Sequence, residues 1–131
     1  MFLTLFSLVR SQKSATSIIV FDPKSKHLLR WEPKTKSMTQ IHEFNEEMKK
    51  DYFTSVSIGN HIYVLMERSL YRLKCGDVTA TWETMNGLDR RHGWSPPAVV
   101  HSGKIYVVGG GRGLLSKSVS KYDPFGIPTA R

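Results

Sequence analysis

Apolar positions come along this chain in short runs, and the runs recur. Ile18-Ile19-Val20-Phe21, Ile62-Tyr63-Val64-Leu65 and Ile105-Tyr106-Val107-Val108 are spaced 44 and then 43 positions apart. Gly59 and Gly103 precede the second and third runs and lie 44 apart, as do Met38 and Trp82, which follow the first and second. A period in this range marks a solenoid, a propeller or a repeat array. Each run is too short for a helix and rich in β-branched and aromatic residues, so each predicts a strand.

Extending the period fills in the rest of each unit. Residues 55–58 and 62–66 flank Gly59-Asn60-His61, and residues 98–100 and 104–109 flank His101-Ser102-Gly103. Both patterns predict a hairpin, with glycine supplying the positive φ of a tight turn. Third and fourth strands are expected at 70–74 and 81–85, and in the first unit at 27–31 and 37–41. In the third unit a strand over 118–122 runs into Asp123-Pro124, where proline ends the ladder. Four short antiparallel strands per unit is the pattern of a propeller blade. About ten strands are expected in all. The first unit is the weak one, because the period puts its first strand on Ser11-Gln12-Lys13-Ser14, which is polar. That strand is absent unless the apolar stretch 2–9 replaces it. Residues 43–50, mostly charged, are expected to form a loop or a single helical turn between units.

Composition narrows the class. With 131 residues and 40% hydrophobic content the chain is expected to fold as a small globular array, not a disordered segment. Its single cysteine, Cys75, excludes an internal disulfide and fits a reducing compartment, with a cytoplasmic location expected. The net charge of +8 is spread over turns with no run of five or six cations, so it reads as a mildly basic solvated surface. An acidic peptide is the next use of that charge, ahead of nucleic acid or membrane. No stretch is long enough to span a bilayer as a helix. The first cation, Arg10, follows the apolar stretch 2–9, the reverse of a secretory signal.

Period alone does not separate propeller types; the residues do. There is no Trp-Asp pair. Instead Gly109-Gly110 closes the strand at 104–108, Ser118-Val119-Ser120-Lys121-Tyr122-Asp123-Pro124 follows, and Trp82 sits in the fourth strand of the second unit. This resembles the kelch repeat, in which a strand ends in paired glycines, the next carries Tyr-Asp-Pro and a Trp follows. The resemblance covers most of residues 17–124 and is strongest over 85–110. It weakens where Met66-Glu67 and Asp22-Pro23 replace the glycine pair and Met38 replaces Trp. The fold expected from it is all-β: an incomplete kelch-type β-propeller of four-stranded antiparallel blades. Its divisions would be an N-terminal apolar stub of uncertain role (1–16), a partial blade (17–44), a complete blade (45–88), and a partial blade with a C-terminal tail (89–131). Closure usually takes four or more blades, so a fragment of a longer product, or a chain marginally stable alone, is expected.

Kelch-like proteins often join a BTB domain to the propeller and serve as substrate-recognition adaptors of cullin-RING ubiquitin ligases. The resemblance implies that role, with contact to the ligase scaffold made only through domains not seen in these residues. Actin or cytoskeletal binding and a kelch-type isomerase or oxidase are the alternatives it leaves open. In a four-stranded meander the loops after the second strand and between blades share one end. Here they are 22–26, 67–69, 111–117, 46–52 and 89–94, and loops on a rigid scaffold are where binding residues gather. Arg90, Arg91, His92 and Trp94, with Arg112, combine cations and an aromatic as interface hot spots do, and form the expected partner-binding set. Kelch-like proteins commonly bind acidic peptides on this end. No catalytic residues are expected, no cofactor and no metal. The five histidines fall at no zinc spacing, and Gly109-Gly110-Gly111-Arg112-Gly113 lacks the Lys-Ser/Thr and the helix of a phosphate loop.

Overall fold

The structure is a computed structural model that describes residues 5–10, 16–50, 52–66, 69–87, 97–108 and 119–124. Among them are eleven strands and no helix: β1 (Leu5–Arg10), β2 (Thr16–Asp22), β3 (His27–Glu32), β4 (Ser37–Glu43), β5 (Thr54–Ile58), β6 (His61–Met66), β7 (Ser69–Lys74), β8 (Glu83–Met85), β9 (Ala98–His101), β10 (Lys104–Val108) and β11 (Val119–Tyr122). They form three antiparallel meanders, β1-β2-β3-β4, β5-β6-β7-β8 and β9-β10-β11. This is the arrangement of an incomplete propeller, with two four-stranded sheets and one of three among the described residues.

The first sheet departs from the strict repeat. Its first strand is Leu5–Arg10, paired with β2 from Leu5 opposite Phe21 to Arg10 opposite Thr16, and not the polar segment 11–14. The apolar stretch supplies the strand because pairing follows the hydrophobic pattern more strongly than a fixed spacing. The last strand of the second sheet is three residues long, so Trp82 precedes the strand rather than lying in it.

Turn chemistry fixes the registers. Ile58 pairs with His61 across Gly59-Asn60, and His101 with Lys104 across Ser102-Gly103. Ser102 and Gly103 both have positive φ, 52° and 75°, the pattern of a type I′ hairpin. The first sheet uses a different device twice. Asp22-Pro23-Lys24-Ser25-Lys26 and Glu32-Pro33-Lys34-Thr35-Lys36 are near copies. In each, proline presets the turn, the final lysine takes positive φ (61° and 54°), and its N–H donates to the carbonyl of the acid, at 2.9 and 2.8 Å.

The sheets stack face to face through two apolar layers. Ile19, Phe21 and Leu28 of the first sheet meet Ile62, Val64 and Leu73 of the second, with Cys75, Phe44 and Met48 completing the layer. Tyr63, Leu65 and Leu70 of the second meet Ile105 and Val107 of the third. Full burial of side chains of this size contributes about 1.5–3 kcal/mol each. Strands alternate their side chains between faces, so β6 serves both layers: Ile62 and Val64 point back to the first sheet, Tyr63 and Leu65 forward to the third. The opening strands β1, β5 and β9 approach one another in sequence, as the inner strands of neighbouring blades do.

Candidate partner-binding face

One backbone hydrogen bond defines the loop end. The Phe44 N–H donates to the Lys26 carbonyl at 2.8 Å, joining the β2–β3 turn to the connection between the first two sheets. For this pair, a loop after a second strand and a connection between sheets lie side by side, as expected; loops 89–94 and 111–117 lie outside the described residues. Within the turn, Asp22 accepts from the Lys24 N–H at 3.0 Å and from the Ser25 hydroxyl at 2.7 Å. The Ser25 bond and then the Lys24 bond hold its carboxyl below the usual range. The connection is anchored from below. The Asn45 side chain accepts from the Met48 N–H at 2.8 Å, and Met48 and Phe44 are buried between the sheets, where Phe44 packs edge-on against Phe53. Residues 46–50 are turn, not helix.

This arrangement lifts charge into solvent on a fixed base. Lys49 reaches Glu46 at 2.9 Å and Glu43 at 3.8 Å, and Lys50 reaches Glu47 at 3.6 Å. Tyr52 is exposed beside them. Among the described residues this end is balanced: Lys24, Lys26, Lys49 and Lys50 stand against Asp22, Glu43, Glu46 and Glu47. Arg90, Arg91, His92, Trp94 and Arg112, the expected partner-binding set, lie outside the described residues, as does Gly109–Gly113.

The opposite end is close to balanced as well. Its turns and strand ends present Lys34, Lys36, Lys74 and Lys104 against Glu32, Asp77 and Asp123. It too is built by cross-links. The Cys75 N–H donates to the Asn60 carbonyl at 2.8 Å, and Arg30 donates to the Cys75 carbonyl across the sheet interface at 3.3 Å.

Cys75 itself is packing. It is buried, unpaired, and burial pushes its thiol up to about 12, against a small opposing effect of Arg30. Trp82 is a tie between sheets: its indole N–H donates to the Glu43 carbonyl at 2.9 Å. Among the described residues no group of three or more His, Cys, Asp or Glu could hold a metal ion. Nor is any helix among them long and apolar enough to cross a membrane.

Stacked meanders with their inner strands in sequence define a propeller-type repeat protein. Residues 95–124, which take in β9, β10 and β11, match the family model of the Kelch motif, which supports a kelch-type repeat there. No curated protein matches it.

Proposed function

We propose that this chain is a non-catalytic module that holds an acidic segment of a protein partner on its loop end. Kelch repeats mediate protein–protein binding, and the match over residues 95–124 supports that class of function here. The observation that carries the choice of face is the Lys26–Phe44 bond, which shows loops of both classes fixed side by side at one end. Arg90, Arg91, His92, Trp94 and Arg112 are the residues proposed to contact the partner. Charged and aromatic anchors contribute most when they sit on a rigid base, because less ordering entropy is lost on binding. By resemblance, the finer role is substrate recognition for a cullin-RING ubiquitin ligase in the cytoplasm.

The test is fluorescence anisotropy with a labelled glutamate-rich peptide. Arg90→Glu combined with Arg91→Glu is expected to weaken binding at least about tenfold, a loss of about 1.4 kcal/mol. The same reversal at Lys34 and Lys36, on the opposite end, is expected to change it little. A larger loss from the lysine pair would move the binding face to the opposite end.

A further inference from the structure

Three asparagines stand in this sequence, and the fold treats them differently. Asn45 is held in its turn: its side-chain oxygen accepts from the Met48 N–H at 2.8 Å, and a glutamate follows it. Asn60 sits in a tight hairpin. Its carbonyl accepts from the Cys75 N–H at 2.8 Å, and the residue after it, His61, is paired with Ile58. Asn86 is followed by Gly87. Both are exposed, and both lie past the ladder of the second sheet, whose last pair is Leu70 with Met85. Among the described residues, neither the Asn86 side chain nor the Gly87 N–H makes a hydrogen bond. The pair opens the connection from β8 to β9, between two sheets that this chain itself supplies.

We propose that Asn86-Gly87 is a self-modification site, where the asparagine amide converts to aspartate and isoaspartate and adds a negative charge to the loop end. The Gly87 backbone nitrogen attacks the Asn86 side-chain carbonyl carbon. A C–N bond forms, the amide C–N bond breaks, and ammonia leaves with the proton that the backbone nitrogen gives up. Water then opens the cyclic imide at either carbonyl. The sum is water in and ammonia out, with no oxidant or reductant. Glycine suits the attacking position because it has no Cβ to hinder the approach and reaches unusual backbone angles cheaply. An N–H outside the ladder matters as well, because the nitrogen must lose its proton and the chain must turn towards the side chain. Position gives the new charge a consequence. Strand β8 ends opposite the start of β7, so Asn86 lies at the same end as the Lys26–Phe44 bond. Arg90 and Arg91 follow it by 4 and 5 positions. Each conversion lowers the net charge of +8 by one. The effect on a partner rests on the proposal that an acidic segment binds there; the modification does not.

Peptide mapping by tandem mass spectrometry tests the site, on the folded chain incubated in warm neutral buffer beside a free peptide of residues 83–88. Conversion at Asn86 is expected to lag the free peptide by less than about fivefold, the factor that one restraining hydrogen bond supplies. Asn45 and Asn60 are expected to remain amides over the same period. Enzymatic methylation of isoaspartate should label the Asn86 peptide alone. Gly87→Val is expected to suppress conversion, with Gly87→Ala taking its place if the β circular dichroism is lost. Slowing beyond that factor, or equal conversion at Asn45 and Asn60, overturns the site. Undiminished conversion in the Gly87 variant overturns attack by that nitrogen. For the consequence, Asn86→Asp is expected to weaken binding of the labelled glutamate-rich peptide about two- to fivefold, the range of one exposed charge. Unchanged binding overturns the consequence. A parent chain that does not bind the peptide overturns the partner-binding proposal and the consequence together, and the mass readout still decides the site.

Discussion

The indole nitrogen of Trp82 donates to the Glu43 carbonyl at 2.9 Å and so fastens the second sheet to the last strand of the first. The ring also packs on the buried layer between those sheets. Trp82→Phe keeps much of the packing and removes the donor, and is expected to cost about 1 kcal/mol, the usual net value of one such bond. Urea unfolding would read this as a lower midpoint with an unchanged slope. An unchanged midpoint would mean that the tie contributes nothing.

Tyr63 and Arg72 are cross-strand partners; against burial, the nearby Tyr63 hydroxyl and Glu83 hold the guanidinium charged, yet neither the hydroxyl nor the Arg72 Nε has a partner in good hydrogen-bond geometry. Arg72 spends its outer nitrogen on Glu83, at 2.6 Å. A buried, unsatisfied hydroxyl costs about 1–3 kcal/mol. Tyr63→Phe is therefore expected to leave stability unchanged or raise it, and thermal unfolding would show the direction. A clear fall in the midpoint would reveal a bond that this geometry lacks.

The left-handed lysines give a third test. Lys26 and Lys36 hold φ of 61° and 54°, a region that costs an ordinary L-residue about 1–2 kcal/mol and that asparagine tolerates better. Lys36→Asn is expected to stabilise the chain by up to about 1 kcal/mol. Lys26→Asn should act in the same direction, less any loss from its place beside the Phe44 bond. Destabilisation at position 36 would show that the lysine side chain holds a contact worth more than the strain.

Two histidines predict a pH dependence. Burial, helped by the charge of Arg30, holds His42 below its usual value against a bond to the Asp77 backbone. Burial, then Arg72, does the same for His61. A histidine lowered in the folded state favours folding while it is neutral. The full contribution is therefore present above the unfolded value of 6.5 and is lost as pH falls below it towards the folded values. Stability should fall on going from pH 7 to pH 5, before the carboxylates begin to titrate. His42→Gln should flatten that slope, and an unaltered slope would rule His42 out as its source.

Much of the fold is legible in the sequence because it rests on alternation and turns. Strands β2, β6 and β10 follow from three apolar runs, and the hairpins from Gly59 and Gly103. The first strand of the first sheet is ambiguous, since period and hydrophobicity point to different residues and only pairing decides. Phe44 and Met48 are hidden for another reason. They stand in a charged stretch, and burial there depends on a turn nucleated by Asn45 rather than on any period. The proposed partner face is legible as topology, through loops expected to share an end. Its charge is not, because Lys49 and Lys50 are neutralised by local ion pairs with Glu43, Glu46 and Glu47 that depend on the fold of the turn.

The central claim is the order of the stack: first sheet on second, second on third, with β6 between two layers. Methyl NOE spectroscopy on the isotope-labelled chain tests it most directly. Cross-peaks are expected between the Ile19–Leu28 group and the Ile62–Val64–Leu73 group, and separately between Leu65 or Leu70 and Ile105 or Val107. Cross-peaks joining Ile19 or Leu28 directly to Ile105 or Val107, or none between sheets, would contradict the account.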